Sequence, residues 1–579
     1  MLRHGGSQPR IKEGASHHAR RGKNAEAFLI IKLSRKRRTF TGGVMAVFSL
    51  NFIAFVGIAV LLYYLVPRKY QWMLLLLFSI LFYYISGGLK AGIFIVITIA
   101  NTFYGALTMQ RITEKTRQTI KNSEHPLTRD EKKAIRAKAR DKRHKIFLLS
   151  LLINLGMLIV LKYANFFTVN VDGLLSRLHV PVQIPVVSFI LPLGISFYTF
   201  QTTGYLIDVY NEKYDADRNI FQFALFASWF PQIIQGPISR HDTLAPDLYA
   251  ERSFNERNFR TGIYRMLWGY FKKMVIAERC AIIVQEIITQ YDAKSYSGIT
   301  VFLGVLFYGI QMYGDFAGGI DIVIGVSELF GVHLAENFRQ PYMALDVSEF
   351  WTRWHMTLGN WMKDYVFYPL ALSKPFAKMQ KNLKKTLGPY VGKVIPTTLA
   401  SFIVFVLVGI WHGASWRYVI FGIYHATLVS SHTLLERVYE RMRAIFHING
   451  KSAGWKAFSM VRTTFLVTIG RYFDCTPNTV VAVQMLKKTF STFNPWVLTD
   501  GSVFKLGVSE REFSILMLAI ILQIAVDIVN ERGVRIRDVI ADQQVVFRWI
   551  VVLAAIWAIL IFGVYGPGFD VGAFMYQQF

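Results

Sequence analysis

The stretch VLVGIWHGASW, at residues 406–416, ends a long apolar run and places His412 between a tryptophan and a glycine. The run begins near residue 394 and is as apolar as a helix that crosses a lipid bilayer. A titratable ring at that depth is costly unless it has a partner or a function. In a soluble protein a histidine on an apolar face is usually a hydrogen-bonded core residue, so the role of His412 depends on whether the chain spans a membrane.

The composition favours a membrane protein. Hydrophobic residues make up 53% of the 579 residues and aromatic residues 15%, and the apolar residues come in runs. These runs predict an all-α polytopic integral membrane protein with about 11–13 transmembrane helices, some of them replaced by re-entrant or interfacial helices. The candidate spans are residues 47–66, 71–86, 89–108, 146–162, 184–206, 219–236, 262–290, 300–329, 394–411, 416–434, 458–473, 512–529 and 547–565.

The formal net charge of +28 is concentrated in two regions. Residues 1–44 carry 11 Lys and Arg against 2 acidic residues, and residues 109–146 carry 13 against 5. The positive-inside rule places the second region in the cytoplasm, but three apparent spans separate the two. Either one early segment does not cross, or the extension 1–44 is not part of the native protein; we favour the second, with residues 45–579 as the membrane domain. Since topology explains the charge, we expect no nucleic-acid partner.

Several kinds of site are not expected from the sequence. Cys280 and Cys475 lie far apart and show neither metal-ligand nor CxxC spacing, so neither a disulfide framework nor a metal site is predicted. There is no Walker A loop and no dinucleotide-binding fingerprint, which argues against nucleotide-driven pumping.

Polar residues interrupt the apolar background from about residue 184. The segments LPLGISFYTFQTTGYLIDVY (191–210) and FPQIIQGPISRHD (230–242) contain Gln, Gly and Pro at membrane depth, where polar groups must face protein or a water-filled path. A kinked structural helix and a substrate-lining helix remain equal alternatives. Asp315 and Asp321 lie in another apolar segment and are expected to pair with a neighbouring helix, since two acids six residues apart do not share a helix face.

A second Trp-His pair, Trp354 and His355, lies in the segment 336–370. We predict a helix that starts after Asp346 or Ser348 and runs through His355, which would share a face with Trp351 and Leu358. Neutral imidazole near pH 7 can act as a general base, and attack of a hydroxyl on a thioester needs such a base and a group that stabilises the oxyanion. Two histidines could divide those tasks, although the residues alone leave this as one option among several.

Several of these motifs, in this order, resemble the membrane-bound O-acyltransferase family, in the bacterial branch that contains the alginate O-acetylation and teichoic-acid D-alanyl transfer proteins. The resemblance runs from about residue 45 to residue 579. The motifs are PLGISFYTFQTTGYLIDVY, FPQIIQGPISR, the DF-x-G segment at Asp315, ENFRQPY, SEFWTRWHMTLGNWMKDY, GIWHGASW and FGIYHA.

The resemblance implies a helical bundle around a central tunnel, with a catalytic core at about residues 184–435. It makes His412 the proposed base and His355 its catalytic partner, and no metal is expected. Residues within the motifs are expected to bind substrate: Trp354, Trp411, Gln235, Asp315 and Asn337.

The implied function is transfer of an acetyl group from acetyl-CoA across the bacterial plasma membrane for O-acetylation of an exported cell-envelope polysaccharide. Acetyl-CoA would be a substrate, with no tightly bound cofactor, and the C-terminal stretch 562–579 favours acetyl as the acyl group. The expected partners are the lipid bilayer and an extracytoplasmic acetyltransferase of the SGNH-hydrolase type, or the polysaccharide itself.

Two alternatives remain open at this point. One is D-alanyl transfer from a phosphopantetheinyl carrier protein to teichoic acid. The other is a transporter of a polysaccharide precursor, suggested by the Gly- and Pro-broken segments.

Overall fold

The apolar runs fold into helices, and the residues that the structure describes contain no β-strand. The structure is a computed structural model that describes residues 45–565 apart from residues 183, 188, 190 and 292. The basic extension 1–44 lies outside the described residues, as does most of the C-terminal stretch 562–579.

The helices are numbered here in chain order. They are α1 (Leu50–Leu65), α2 (Gln71–Lys121), α3 (Arg129–Arg177), α4 (Ile195–Tyr210), α5 (Ile220–Ser228), α6 (His241–Tyr249), α7 (Glu256–Phe271), α8 (Glu278–Thr289), α9 (Gly298–Leu329), α10 (Val347–Arg353), α11 (Met356–Met362), α12 (Tyr368–Ala371), α13 (Lys374–Leu387), α14 (Pro389–His412), α15 (Trp416–Leu434), α16 (Glu436–Ile445), α17 (Ala453–Cys475), α18 (Thr479–Ser491), α19 (Glu510–Glu531), α20 (Ile536–Ala541) and α21 (Val545–Phe562). A π-helical turn, Lys272–Ala277, joins α7 to α8.

Six helices of the described residues are long and apolar enough to cross a membrane. They comprise α2 with the short turn before it, α3, α9, α14, α19 and α21, and α1 is a shorter apolar helix. The chain is therefore an all-α multi-pass membrane protein, as predicted. The two predicted spans 71–86 and 89–108 lie in two helical segments of α2, which meet at a kink at Gly88, where φ is 71° and ψ is 169°.

Two predicted spans are not continuous helices. Residues 184–187, 189 and 191–194 are not helical, so α4 begins only at Ile195, and α5 ends at Ser228 before a series of turns. The polar and Pro-containing sequence after Ser228 explains the second break, because proline removes a helical hydrogen bond and clashes with the preceding turn.

Helix α9 is the most buried of the six long apolar helices among the described residues, and it packs along α7. Glycines set the spacing of these two helices. A methyl group on Gly269 of α7 would lie 2.5 Å from the carbonyl oxygen of Gly318, and one on Gly262 would lie 2.7 Å from that of Gly325. Small residues on both sides let the two backbones approach closely, as is common between membrane helices.

Buried ion pairs also join α9 to α7 and the π-helical turn. Asp315 lies 2.5 Å from Lys273, whose ammonium also lies 2.6 Å from Glu278. Asp321 pairs with Lys272 and with Arg265, the latter at 3.0 Å. The expected pairing of both aspartates with a neighbouring helix is thus confirmed, and each carboxylate is neutralised as membrane burial requires.

Helices α14 and α15 form a tight antiparallel hairpin. Gly409 lies against α15: a methyl group there would come within 2.5 Å of the carbonyl oxygen of Tyr418 and 2.7 Å of the Cα atom of Gly422. At the turn, a methyl group on Gly413 would lie 2.3 Å from the ring of Tyr418. This close packing fixes the end of α14, which is where His412 lies.

Candidate active site

His412 is the last residue of α14, and its side chain is buried. Two residues of α3 bind the carbonyl groups at this helix end. The ammonium of Lys162 donates to the carbonyl oxygen of Trp411, and the hydroxyl of Tyr163 donates to that of Ile410 at 2.9 Å. The C-terminal carbonyls of a helix carry partial negative charge, so a lysine at this position is stabilised and holds His412 in place.

His355 lies at a break between two short helices. Helix α10 begins after Asp346, whose side chain accepts the N–H of Glu349, as predicted. The prediction of one helix through His355 is wrong: α10 ends at Arg353, and His355 has φ 48° and ψ 52° before α11 begins. His355 therefore does not share a helix face with Trp351 and Leu358. A left-handed conformation in a residue other than glycine is strained, and such strain clusters at functional sites.

Asn337 fixes the orientation of the His355 ring. The amide oxygen of Asn337 accepts the backbone N–H of Thr357 at 3.1 Å and the Thr357 hydroxyl at 2.9 Å. The same oxygen lies 3.1 Å from Nδ1 of His355. Because this oxygen can only accept, Nδ1 of His355 is assigned as the donor. In the neutral ring the lone pair is then on Nε2, the nitrogen that can act as a base.

The ring of Trp411 lies beside the rings of both histidines. Its centre lies 6.0 Å from that of His355 and 5.1 Å from that of His412. Phe200 of α4 stacks on Trp411 at 5.8 Å and on Trp361 at 4.2 Å. The structure thus brings together both predicted catalytic histidines, 57 residues apart in sequence, beside an aromatic wall.

Trp354 and Gln235, two other predicted site residues, are also buried. Trp354 is buried and stacks on Phe350 at 5.5 Å. Gln235 lies in the turns after α5 and is only 1% exposed, and neither of its amide atoms has a hydrogen-bond partner among the described residues. It lies directly against Gly319 of α9, where a methyl group would come within 1.2 Å of its Nε2 atom. A buried amide of this kind is suited to bind a polar ligand, because unpaired polar groups are otherwise costly.

The segment that carries Gln235 also contacts the histidine region. The backbone N–H of Ile238 donates to the Thr357 hydroxyl at 3.0 Å, so the turns after α5 connect to the Asn337 network. Asp315 precedes Phe316, whose ring lies 4.9 Å from that of His355. The ion pair of Asp315 with Lys273 gives this residue a role in helix packing, whereas Asn337 directly supports a histidine.

Two further residues of this region were not among the predicted site residues. His425 of α15 is 1% exposed, and its Nδ1 atom lies 3.3 Å from the indole nitrogen of Trp351. Arg471 of α17 is 4% exposed and lies over the ring of Trp354 at 4.8 Å. His412 interacts electrostatically with Arg471 and with His425. Both could have been identified from the sequence, because each is a titratable residue within a predicted apolar span.

The arrangement suits proton transfer in a buried, water-poor site. It combines buried imidazoles, an aromatic wall and the cations Lys162 and Arg471. Within the described residues, no group of three or more His, Cys, Asp and Glu side chains could hold a metal ion. General acid-base chemistry by the imidazoles is what these side chains can supply.

Comparison with known proteins agrees with this chemistry. The model of the MBOAT, membrane-bound O-acyltransferase, family matches residues 212–383. The chain is 30% identical over 478 residues to the probable alginate O-acetylase AlgI of Azotobacter vinelandii, a match that covers 82% of this chain and 84% of that protein.

Two relatives with other names match shorter regions. The peptidoglycan O-acetyltransferase of Helicobacter pylori is 32% identical over 327 residues, covering 52% of this chain and 56% of the relative. The teichoic acid D-alanyltransferase of Bacillus subtilis is 29% identical over 255 residues, covering 42% and 60%. The long match to the Azotobacter protein and the family-model match together establish that this chain belongs to the membrane-bound O-acyltransferase family and is a multi-pass membrane O-acyltransferase.

Proposed function

We propose that this acyltransferase moves an acetyl group from acetyl-CoA, across the bacterial plasma membrane, for O-acetylation of an exported cell-envelope polysaccharide. The observation that carries the proposal is that two buried histidines, His355 and His412, both lie beside the Trp411 ring in a family member. Two relatives that match more than half of this chain are named for O-acetylation, which favours acetyl as the acyl group.

In the proposed reaction His412 is the base. The acceptor hydroxyl gives its proton to His412 as its oxygen bonds to the thioester carbonyl carbon, and the carbonyl electron pair moves to oxygen. Collapse of this intermediate re-forms the carbonyl and breaks the carbon–sulfur bond. The proton on His412 then passes to the sulfur, which leaves as the thiol of coenzyme A.

His355 is the proposed partner of His412. Its Nδ1–H is engaged by Asn337, so the Nε2 lone pair can activate or orient the acceptor hydroxyl. Trp354, Trp411, Gln235 and Asn337 are proposed to line or support the substrate path, and Asp315 is proposed as its more distant member. The acetyl group would reach the polysaccharide directly or through an extracytoplasmic partner of the SGNH-hydrolase type.

A second candidate keeps the same chemistry with a different donor. The match to the Bacillus subtilis teichoic acid D-alanyltransferase favours a D-alanyl thioester of a phosphopantetheinyl carrier protein as this alternative. The site residues and their roles would be unchanged, because both donors present a thioester carbonyl.

Reconstitution of the full chain into liposomes tests the donor. Acetyl-CoA or D-alanyl carrier protein is added outside, and alginate oligosaccharides or peptidoglycan fragments are enclosed inside. We expect thiol release from acetyl-CoA together with ester-linked acetyl in the enclosed carbohydrate. Consumption of the D-alanyl thioester alone would establish the second candidate, and consumption of neither would contradict both.

A further inference from the structure

The buried side chains of Arg471 and His425 carry hydrogen-bond donors that take no part in the proton transfers proposed above. The first is the guanidinium of Arg471. One of its nitrogens donates to Asp474 at 2.8 Å, while Nε and Nη2 have no hydrogen-bond partner among the described residues. Burying a charge is costly unless its donors are satisfied, so these two nitrogens are available to an oxygen ligand.

The second donor is Nε2 of His425. Trp351 donates its indole N–H towards Nδ1 of His425, and an indole nitrogen can only donate. Nδ1 of His425 is therefore the acceptor, and the proton of the neutral ring is assigned to Nε2. That N–H is buried and has no hydrogen-bond partner among the described residues.

The two donors lie on helices α15 and α17, which pack against each other at His425. Gly470, the residue before Arg471, lies directly against His425, and a methyl group there would come within 2.4 Å of Nε2. His425 interacts electrostatically with both Arg471 and His412. Asp474 and the Trp354 ring hold the guanidinium in place from two directions. The donors are thus positioned before substrate arrives, which is what electrostatic stabilisation of a transition state requires.

We propose that Arg471 and His425 form the oxyanion-binding site of this acyltransferase. When the acceptor oxygen bonds to the acyl carbon, the electron pair of the carbonyl moves onto its oxygen, which accepts N–H groups of both side chains. When the carbonyl re-forms and the carbon–sulfur bond breaks, that charge leaves the oxygen and the thiol takes the proton from His412. The inference rests on the thioester reaction proposed above and adds the groups that stabilise its intermediate.

Kinetics of the full chain in liposomes test the assignment. Arg471→Gln and His425→Leu are expected to lower kcat by about 10²–10³-fold each, as for loss of one oxyanion donor, with KM changed by less than about threefold. His425→Gln, whose side-chain amide can replace the Nε2 donor, should recover part of the loss. Arg252→Gln removes an arginine paired with Asp247 at 2.6 Å and should leave kcat unchanged.

Binding of two unreactive donor analogues separates this role from a structural one. Acetonyl-dethio-coenzyme A keeps a carbonyl at the reacting position, and S-ethyl-coenzyme A lacks it. We expect the wild type to prefer the ketone and Arg471→Gln to lose that preference while still binding the thioether. An unchanged preference, or an unchanged kcat in both Arg471→Gln and His425→Leu, would overturn the assignment.

The same measurements distinguish a failure of the oxyanion assignment from a failure of the donor proposal. If the wild type does not consume acetyl-CoA, the donor proposal fails. The variants are then compared with D-alanyl carrier protein, whose thioester carbonyl needs the same donors. Equal rates of wild type and variants on the accepted donor would contradict the oxyanion role alone.

Discussion

Nδ1 of His355 lies 3.1 Å from the side-chain oxygen of Asn337, which also accepts two hydrogen bonds from Thr357. Three donors therefore converge on one amide oxygen. This arrangement sets the tautomer of His355 and explains how a left-handed backbone at that residue is maintained, since the surrounding hydrogen bonds over-determine it.

The first prediction concerns this amide. Asn337→Leu should lower kcat by at least about tenfold, within the roughly 10²–10⁴-fold that a positioned acid or base contributes, because the His355 ring loses its orientation. Asn337→Asp keeps an acceptor oxygen and should retain more activity than Asn337→Leu. Steady-state thiol release measures both variants, and equal rates in the two would show that the acceptor oxygen is not what matters.

The second prediction concerns the lysine at the end of α14. Lys162→Met should lower kcat because the carbonyl of Trp411 loses its cationic partner and His412 loses its fixed position. Lys162→Arg restores a charged donor and should recover part of the rate. If Lys162 acted only by packing its aliphatic chain, Lys162→Met would keep a higher kcat than Lys162→Arg.

The third prediction tests the α14–α15 hairpin. Gly409→Ala should lower the free energy of unfolding by about 1–3 kcal/mol, because the added methyl group meets the backbone of α15 and must displace it. Gly57→Ala in α1 is the matched control, since nothing lies within 4 Å of a methyl group there. The control should be neutral or should stabilise by up to about 1 kcal/mol. Unfolding in mixed micelles measures both, and equal stability of the two variants would contradict the close contact.

The fourth prediction concerns the pH dependence of stability and the basic residues at the end of α2 and the start of α3. Glu212 lies 3.0 Å from Arg117 and also pairs with Arg143. Burial raises the pKa of Glu212, but hydrogen bonds and charge from the two arginines outweigh it and hold the pKa below its usual value. A lowered folded-state pKa contributes stability that is present above the unfolded value of about 4.3 and is lost as pH falls through the folded value.

Thermal unfolding in micelles at pH 3–7 measures this contribution. The wild type should lose stability below about pH 4.3 more steeply than Glu212→Gln. The difference should be small, because the side chain is 43% exposed and solvent screens the pair. Parallel curves for the two proteins would show that the arginines do not depress the pKa of Glu212.

Much of this structure follows from local pattern in the sequence. Apolar runs predicted α9, α14 and the apolar part of α3 at residues 146–162, and the cap at Asp346 marked the start of α10. The break at His355 was not predicted, because it depends on hydrogen bonds between Asn337 and Thr357, which lie 20 residues apart, rather than on local propensity. Helix length was also overestimated where Pro and Gly interrupt apolar segments, as after Ser228.

The sequence predicted only part of the site. The two Trp-His pairs indicated His355 and His412 as candidates, and the resemblance to acyltransferases implied their roles. The contact of Lys162 with Trp411 joins residues 249 positions apart, and no periodicity reveals it. Arg471 and His425 were visible as titratable groups in apolar runs, but only the fold shows that His425 packs against Gly470, the residue before Arg471.

His412 is the proposed base of the acyl transfer reaction, and thioester turnover by the purified, reconstituted full chain tests this role. Wild type, His412→Ala and His355→Ala are compared. We predict that His412→Ala loses at least about 10²-fold in kcat while remaining folded, with a smaller or equal loss in His355→Ala. Undiminished turnover by a folded His412→Ala variant would show that His412 is not the base.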